Sequence, residues 1–144
     1  MVILEHGDIF ASDADIICHQ VNMQGVMGAG IAKIIKLKYP IVFEKYKQYT
    51  PSASLGDILL VKVSDELTIA NLYGQKNYGL SQQQTSYEAI ACCLNKVKEY
   101  AKYEKLKIAI PYGMSCCRGG GDWRILTQIL EKIFSDYDVY IYKL

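Results

Sequence analysis

Apolar runs short enough for strands alternate along the chain with stretches whose apolar residues return every three or four positions. VILEHG (2–7) is strand-like, and ADIICHQV (14–21) is β-branched at its centre. From Gly30 onward, Ile31, Ile34 and Ile35 repeat at helical spacing as far as Tyr39–Pro40, where proline disfavours continuation. A second short helix is expected over 41–49. Gly56 opens DILLVKV (57–63), and LTIANLY (67–73) follows a polar Ser-Asp-Glu turn, so these two runs are expected to pair. GQKNYGLSQQQ (74–84) reads as a loop. Tyr87, Ile90, Ala91, Leu94, Val97 and Ala101 then mark one face of a long helix. KIAIP (107–111) reads as a buried strand. Trp123, Leu126, Ile129, Leu130 and Ile133 mark a last helix, and DVYIYKL (138–144) a last strand.

The order ββ-αα-ββ-α-β-α-β predicts an α/β fold, with a central mixed sheet of about six strands and helices on both faces. No repeat or low-complexity linker divides it, and 144 residues suit one domain, 1–144. Apolar residues are 51% and charged residues 22%, a balance that favours folding over disorder. Net charge is +1 without a basic tail, so nothing asks for duplex nucleic acid, which needs many phosphate contacts. No signal-like start and no run of ~20 apolar residues stands in the sequence, and a cytoplasmic location is expected. Five cysteines, Cys18 and the adjacent pairs Cys92–Cys93 and Cys116–Cys117, fit neither a closed disulfide framework nor zinc spacing. Reduced thiols are expected, with no metal and no cofactor.

Ligands of open α/β sheets collect at the carboxyl ends of strands, and two such junctions here are glycine-rich. In CHQVNMQGVMGAGIAKII (18–35), strand residues run through Gly25, Gly28, Ala29 and Gly30 straight into a helix. No Ser, Thr, Asp or Asn precedes that helix to cap its first amides. Those N–H groups stand at the positive end of the helix dipole and suit a phosphate; the alternative is a tight turn wetted by water. In IPYGMSCCRGGGDWRIL (110–126), a strand ends at Pro111 and four more glycines precede a helix beginning near Asp122–Trp123. Asp122 reads foremost as a helix cap. Two amide-rich loops at neighbouring strand ends suit a diphosphate. Asp8, after the first strand, is either an acceptor for an exocyclic amine or a turn residue. Tyr142 in the last strand either stacks on a base or packs. His19 is a candidate acid or base beside Asn22, whose amide has both donors and acceptors for ribose hydroxyls; a strand histidine is otherwise structural. Gln75, Lys76 and Asn77 form a third polar group at a strand end.

At these residues the chain resembles the macrodomains. GDIF (7–10), HQVNMQGVMGAGIA (19–32), IPYGMSCCRGGGDW (110–123) and VYIYKL (139–144) match that family's motifs, in order and over nearly the whole length. The nearest branch holds the terminal ADP-ribose-glutamate hydrolases, the DNA ADP-ribosyl hydrolases of toxin–antitoxin pairs and the yeast ADP-ribose-1''-phosphate phosphatases. The resemblance implies a three-layer α/β/α fold that binds ADP-ribose. It assigns Asp8 and Ile9 to adenine, Asn22 to the distal ribose, and Gly28, Ala29, Gly30 and Ile31 to the first phosphate loop. Ser115, Cys116, Cys117, Arg118 and Gly119 would wrap the diphosphate, and Tyr142 would line the adenine face. Gln75 falls where the lysine-dependent hydrolases carry their lysine, with Lys76 one residue later. Gly119 falls where they carry an acid, with Asp122 the nearest replacement. The phosphatases of the branch share a histidine three residues before the asparagine, as His19 precedes Asn22.

The expectation is therefore an ADP-ribose-binding protein that hydrolyses a derivative: the 1''-phosphate, an acyl ester, or an ADP-ribosylated protein or nucleic acid. His19 and Asn22 are its catalytic candidates. The alternative is a module that reads ADP-ribose without turnover. A dinucleotide-binding G-x-G-x-x-G is excluded by Lys33 at its last glycine.

Overall fold

The computed structural model describes residues 1–77, 85–116 and 120–144 of the chain. Its strands are β1 (Val2–His6), β2 (Ile16–Val21), β3 (Ile58–Lys62), β4 (Thr68–Tyr73), β5 (Ile108–Pro111) and β6 (Val139–Lys143). Its helices are α1 (Gly30–Lys38), α2 (Pro40–Tyr49), α3 (Tyr87–Glu104) and α4 (Trp123–Ile133). The expected order of elements is thus present, with ends shifted by a residue or two. Pro40 stops α1 and serves as the first residue of α2, where its missing N–H costs nothing. Ser86 caps α3 by accepting from the Ala89 N–H at 3.1 Å.

The six strands form one sheet in the order β1-β6-β5-β2-β4-β3. Neighbours are parallel throughout except β3, which runs antiparallel to β4. Side chains alternate across each strand, and the two faces have separate cores. Ile16 and Cys18 pack with Ile90, Leu94, Leu126 and Leu130 under α3 and α4. Ile17 and Val21 pack with Ile35, Val42 and Tyr46 under α1 and α2. Burying a side chain such as Leu94 or Ile35 contributes ~1.5–3 kcal/mol each, and this layering is what holds the helices on their faces.

Parallel pairing has a direct consequence for function. β1, β2, β4, β5 and β6 all end on one edge of the sheet. Asp8, Asn22, Gln75, Ser115 and Tyr142, which are far apart in sequence, follow or close those strands and gather on that edge.

Candidate functional site

Two cavities occupy this edge. One, of about 500 Å³, is lined by Asp8, Ile9, Ile34, Tyr142 and Lys143 among others. The second, of about 370 Å³, is lined by Gln20, Ala29, Gln75, Met114 and Ser115 among others. Both include Gly30, Ile31, Pro111 and Tyr112, so they join into one cleft that crosses the start of α1. A further cavity of about 570 Å³ lies by Met1, Lys107 and Asp138, at the opposite ends of the strands. It contains none of the residues singled out from the sequence.

The start of α1 forms the middle of the cleft. Ala29 stands at its cap position with extended backbone and no side-chain hydrogen bond, so the first-turn amides have no side-chain partner. Gly30 has φ +59°, a left-handed conformation that bends the chain into the helix and that a Cβ would oppose. Asn22 shapes the loop before it. Its Nδ2 donates to Val26 O at 2.9 Å, and its Oδ1 accepts from Gln24 N at 2.9 Å. The Tyr46 hydroxyl lies 2.7 Å from both the Asn22 carbonyl and Oδ1. Asn22 is buried, and its amide is engaged with the loop.

At one end of the cleft, Asp8 caps a short 3-10 turn, Ile9–Ala11, by accepting from Phe10 N at 2.9 Å. The turn reading of Asp8 holds, and the capping carboxylate also lines the cavity beside buried Ile9 and half-buried Tyr142. Tyr112 stands at the waist of the cleft, its ring 5.0 Å from that of Trp123 and 4.6 Å from Lys143 Nζ.

At the other end, Ser115 has φ +74°, a left-handed conformation uncommon for a residue with a side chain. Three contacts hold it there. Its Oγ donates to Gln20 Oε1 at 2.6 Å, and its carbonyl accepts from Thr85 Oγ1 at 2.8 Å and from Gly121 N at 2.9 Å. Cys116 follows, half-buried, its Sγ 3.3 Å from the Met114 carbonyl. Cys117, Arg118 and Gly119 lie outside the described residues.

His19 lies elsewhere. It has no exposed surface, lines neither cavity, and faces the layer of α1 and α2 while Gln20 faces the cleft. Its Nε2 is 2.6 Å from Oδ1 of Asn71, its register partner on β4, and Asn71 Nδ2 donates to Leu59 O at 2.9 Å. Because Asn71 is oriented by that carbonyl, His19 donates through Nε2, and Nδ1 has no hydrogen-bond partner among the described residues. Burial pushes the imidazole pKa down to about 4, against the smaller opposing effect of the Asn71 bond, so it is neutral at pH 7.

The two sequence-based replacements for the lysine and the acid are also located. Lys76 is exposed and lines neither cavity, its backbone carbonyl accepting from Met23 N at 3.1 Å. Asp122 caps α4 by accepting from Arg124 N at 2.9 Å, and the same arginine holds its carboxyl below the usual range. Among the described residues no group of three or more His, Cys, Asp or Glu is placed to hold a metal ion.

Sequence reasoning missed Gln20, Thr85, Tyr112, Tyr46 and Asn71. A signal for two of them exists: strands buried on both faces read as unbroken apolar runs, so Gln20 in β2 and Asn71 in β4 stand out. Thr85 and Tyr46 carry no such signal, because their partners are 30 and 24 residues away.

No protein-family model matches the chain. It is 25% identical over 150 residues to the "DNA ADP-ribosyl glycohydrolase" of Mycobacterium tuberculosis, covering 99% of this chain and 42% of the relative. The chain thus spans less than half the length of the curated relative it matches. Among solved structures, a Bacteroides thetaiotaomicron protein of unknown function is similar at 27% identity and TM-score 0.89, covering 100% of this chain and 98% of that one. The macrodomain of Mycobacterium tuberculosis DarG is similar at 25% identity and TM-score 0.85, covering 100% and 98%. Thermosipho africanus DarTG, solved in complex with ADP-ribose, shares the fold at 22% identity and TM-score 0.80, covering 97% of this chain and 41% of that one.

Proposed function

We propose that this chain, which has the macrodomain fold over its whole length, binds ADP-ribose along the cleft and hydrolyses the bond joining an ADP-ribosyl group to a macromolecule. One observation carries the reading. A single cleft runs from Asp8 and Tyr142, across the uncapped start of α1, to Gln20, Gln75 and Ser115. Adenine lies against Ile9 and Tyr142 with its amine towards Asp8. The diphosphate meets the amides that open α1, where the helix dipole favours negative charge, and the segment 113–116 facing them. The distal ribose reaches the Gln20 end. The ADP-ribose bound by the Thermosipho africanus protein supports the ligand, and the name of the Mycobacterium tuberculosis relative supports ADP-ribosylated DNA as the substrate.

In this reading, positioning and stabilisation of developing negative charge by backbone amides do most of the catalysis. His19 and Asn22 contribute by fixing β2 and the loop before α1, not by touching the reacting atoms. Residues 1–144 act as one unit built on one sheet. Buried free thiols at Cys18 and Cys93 support a reducing, cytoplasmic setting, and no described helix is long and apolar enough to cross a membrane.

A second reading, a module that retains ADP-ribosylated partners without turnover, is favoured by one feature. Among the described residues lining the distal cavity, Tyr112 is the sole ionisable side chain, so a general base is lacking there. Incubation with ADP-ribosylated DNA and ADP-ribosylated protein separates the two. Release of ADP-ribose above the buffer rate establishes the hydrolase. Capture of immobilised conjugate without release establishes the reader, and neither outcome with any conjugate refutes both.

A further inference from the structure

Charge is unevenly distributed over the molecule. Residues 30–49, which form α1 and α2, carry Lys33, Lys36, Lys38, Lys45 and Lys47 against Glu44 alone. That is a net +4 in a chain whose total is +1, so the remaining residues sum to −3. All five lysines are exposed. Five cations on other elements are paired: Lys96 with Asp57, Lys98 and Lys102 with Asp136, Lys107 with Asp13, and Arg124 with Asp122. Among the described residues, none of the five lysines on α1 and α2 has an acid within ion-pair distance.

Three of them rest on aromatic rings instead. Lys36 Nζ lies 4.1 Å and Lys47 Nζ 4.7 Å from the centre of the Phe43 ring, and Lys38 Nζ lies 5.6 Å from that of Phe10. Such contacts hold an ammonium in place without cancelling its charge. The helix dipole favours Lys36, Lys38 and Lys47 in the last turns of α1 and α2, but Lys33 and Lys45 lie outside those turns. Lys33 and Lys36, three residues apart on one helix, also repel each other. Local stability therefore does not account for the cluster. Set among these charges is an apolar stripe at helical spacing, with Leu37 72% exposed and Ile41 40%. The face borders the cleft: Ile34 and Lys38 line the Asp8 cavity, and Ala32, the residue before Lys33, lines the Gln20 cavity.

We propose that the α1–α2 face docks the phosphate backbone of a single-stranded nucleic acid, and so holds beside the cleft the strand that carries an ADP-ribosyl group. The choice of nucleic acid rests on the proposed function, in which DNA is the macromolecule. The unpaired ammoniums supply the counter-charge for successive phosphates, and Leu37 and Ile41 give the bases an apolar surface. A strand leaving the Gln20 end meets Lys33 first, then Lys36 and Lys47 around the Phe43 ring. A single strand bends freely to follow two short helices that meet at Pro40, whereas a duplex pays an elastic cost to do so. An anionic bilayer fits the same charges less well. Seated on Leu37, it would lie over Ile34 and Lys38 and close the cavity that they line.

Fluorescence anisotropy with a labelled oligothymidylate of ~12 nucleotides, free of ADP-ribose, tests it. Binding at low salt is expected, with log K falling against log [salt] at a slope of about −2 to −3.5, the value for three to five phosphate contacts on a single strand. Lys36→Glu combined with Lys47→Glu is expected to weaken it about tenfold or more, while calorimetry with ADP-ribose gives the wild-type affinity. Circular dichroism establishes that the variant is folded. No binding at low salt, binding indifferent to salt, or equal binding by the folded variant overturns the proposal. So does capture by phosphatidylserine vesicles with no oligonucleotide bound. Oligonucleotide binding without ADP-ribose binding removes the function and leaves this face. ADP-ribose binding without oligonucleotide binding removes this face and leaves the function.

Discussion

His19 shows what burial does to a residue chosen for its chemistry. An imidazole is the natural acid or base near neutral pH, yet sealed in the sheet against Asn71 it stays uncharged. This has a measurable consequence. The unfolded chain takes up a proton near pH 6.5, whereas the folded chain takes it up near pH 4. Between those values the unfolded state binds more protons, so His19 stabilises the fold fully above 6.5 and progressively less as pH falls through the window. The total loss is about 3 kcal/mol by linkage. Urea melts from pH 7 to 4 should show this decline, and His19→Gln should flatten it; an unchanged slope in the variant would mean another group is responsible. Asn22 was legible in the sequence as the asparagine before a glycine-rich turn, but the partners of its amide were not. Its amide is directed by Tyr46 from α2, a partner that no local pattern announces. Tyr46→Phe should cost about 1–3 kcal/mol by leaving a buried acceptor unmet, and should weaken ADP-ribose binding by loosening the loop before α1.

At the level of elements, α1 matters more for what it lacks than for what it packs. Most helices satisfy their first amides with a side-chain cap; here Ala29 offers none, and the dipole end faces the cleft. Ala29→Asp should therefore separate stability from function. The new carboxylate caps the helix and raises stability by ~0.5–2 kcal/mol. It also places negative charge where the proposed function sets the diphosphate and should lower ADP-ribose affinity about tenfold or more, comparable to removing a charge-assisted anion contact. Affinity unchanged in that variant would move the diphosphate away from α1. The elements themselves were readable because their apolar spacing is clean: Tyr87 to Ala101 for α3, the β-branched centre of β2, Pro40 between two helices. The missing cap was readable for the same reason, as an absence of Ser, Thr, Asp or Asn before Gly30. What spacing does not encode is how the elements interlock at their ends.

At the level of the whole molecule, strand order creates the site. Asp8 and Tyr142 line one cavity because β1 pairs with β6, joining the two ends of the chain in register from Val2 and Val139. Gln20, Gln75 and Ser115 meet because β2 lies between β4 and β5. Their separations of 55 and 95 residues put this network beyond any reading of local pattern. The motif order pointed to the ligand class, but only the topology joins the two glycine-rich loops into one cleft. Calorimetric titration with ADP-ribose reads that continuity. Saturable heat with one ligand per chain is expected, and competition by ADP, which would share the adenine and diphosphate contacts. No heat at millimolar ADP-ribose would contradict it.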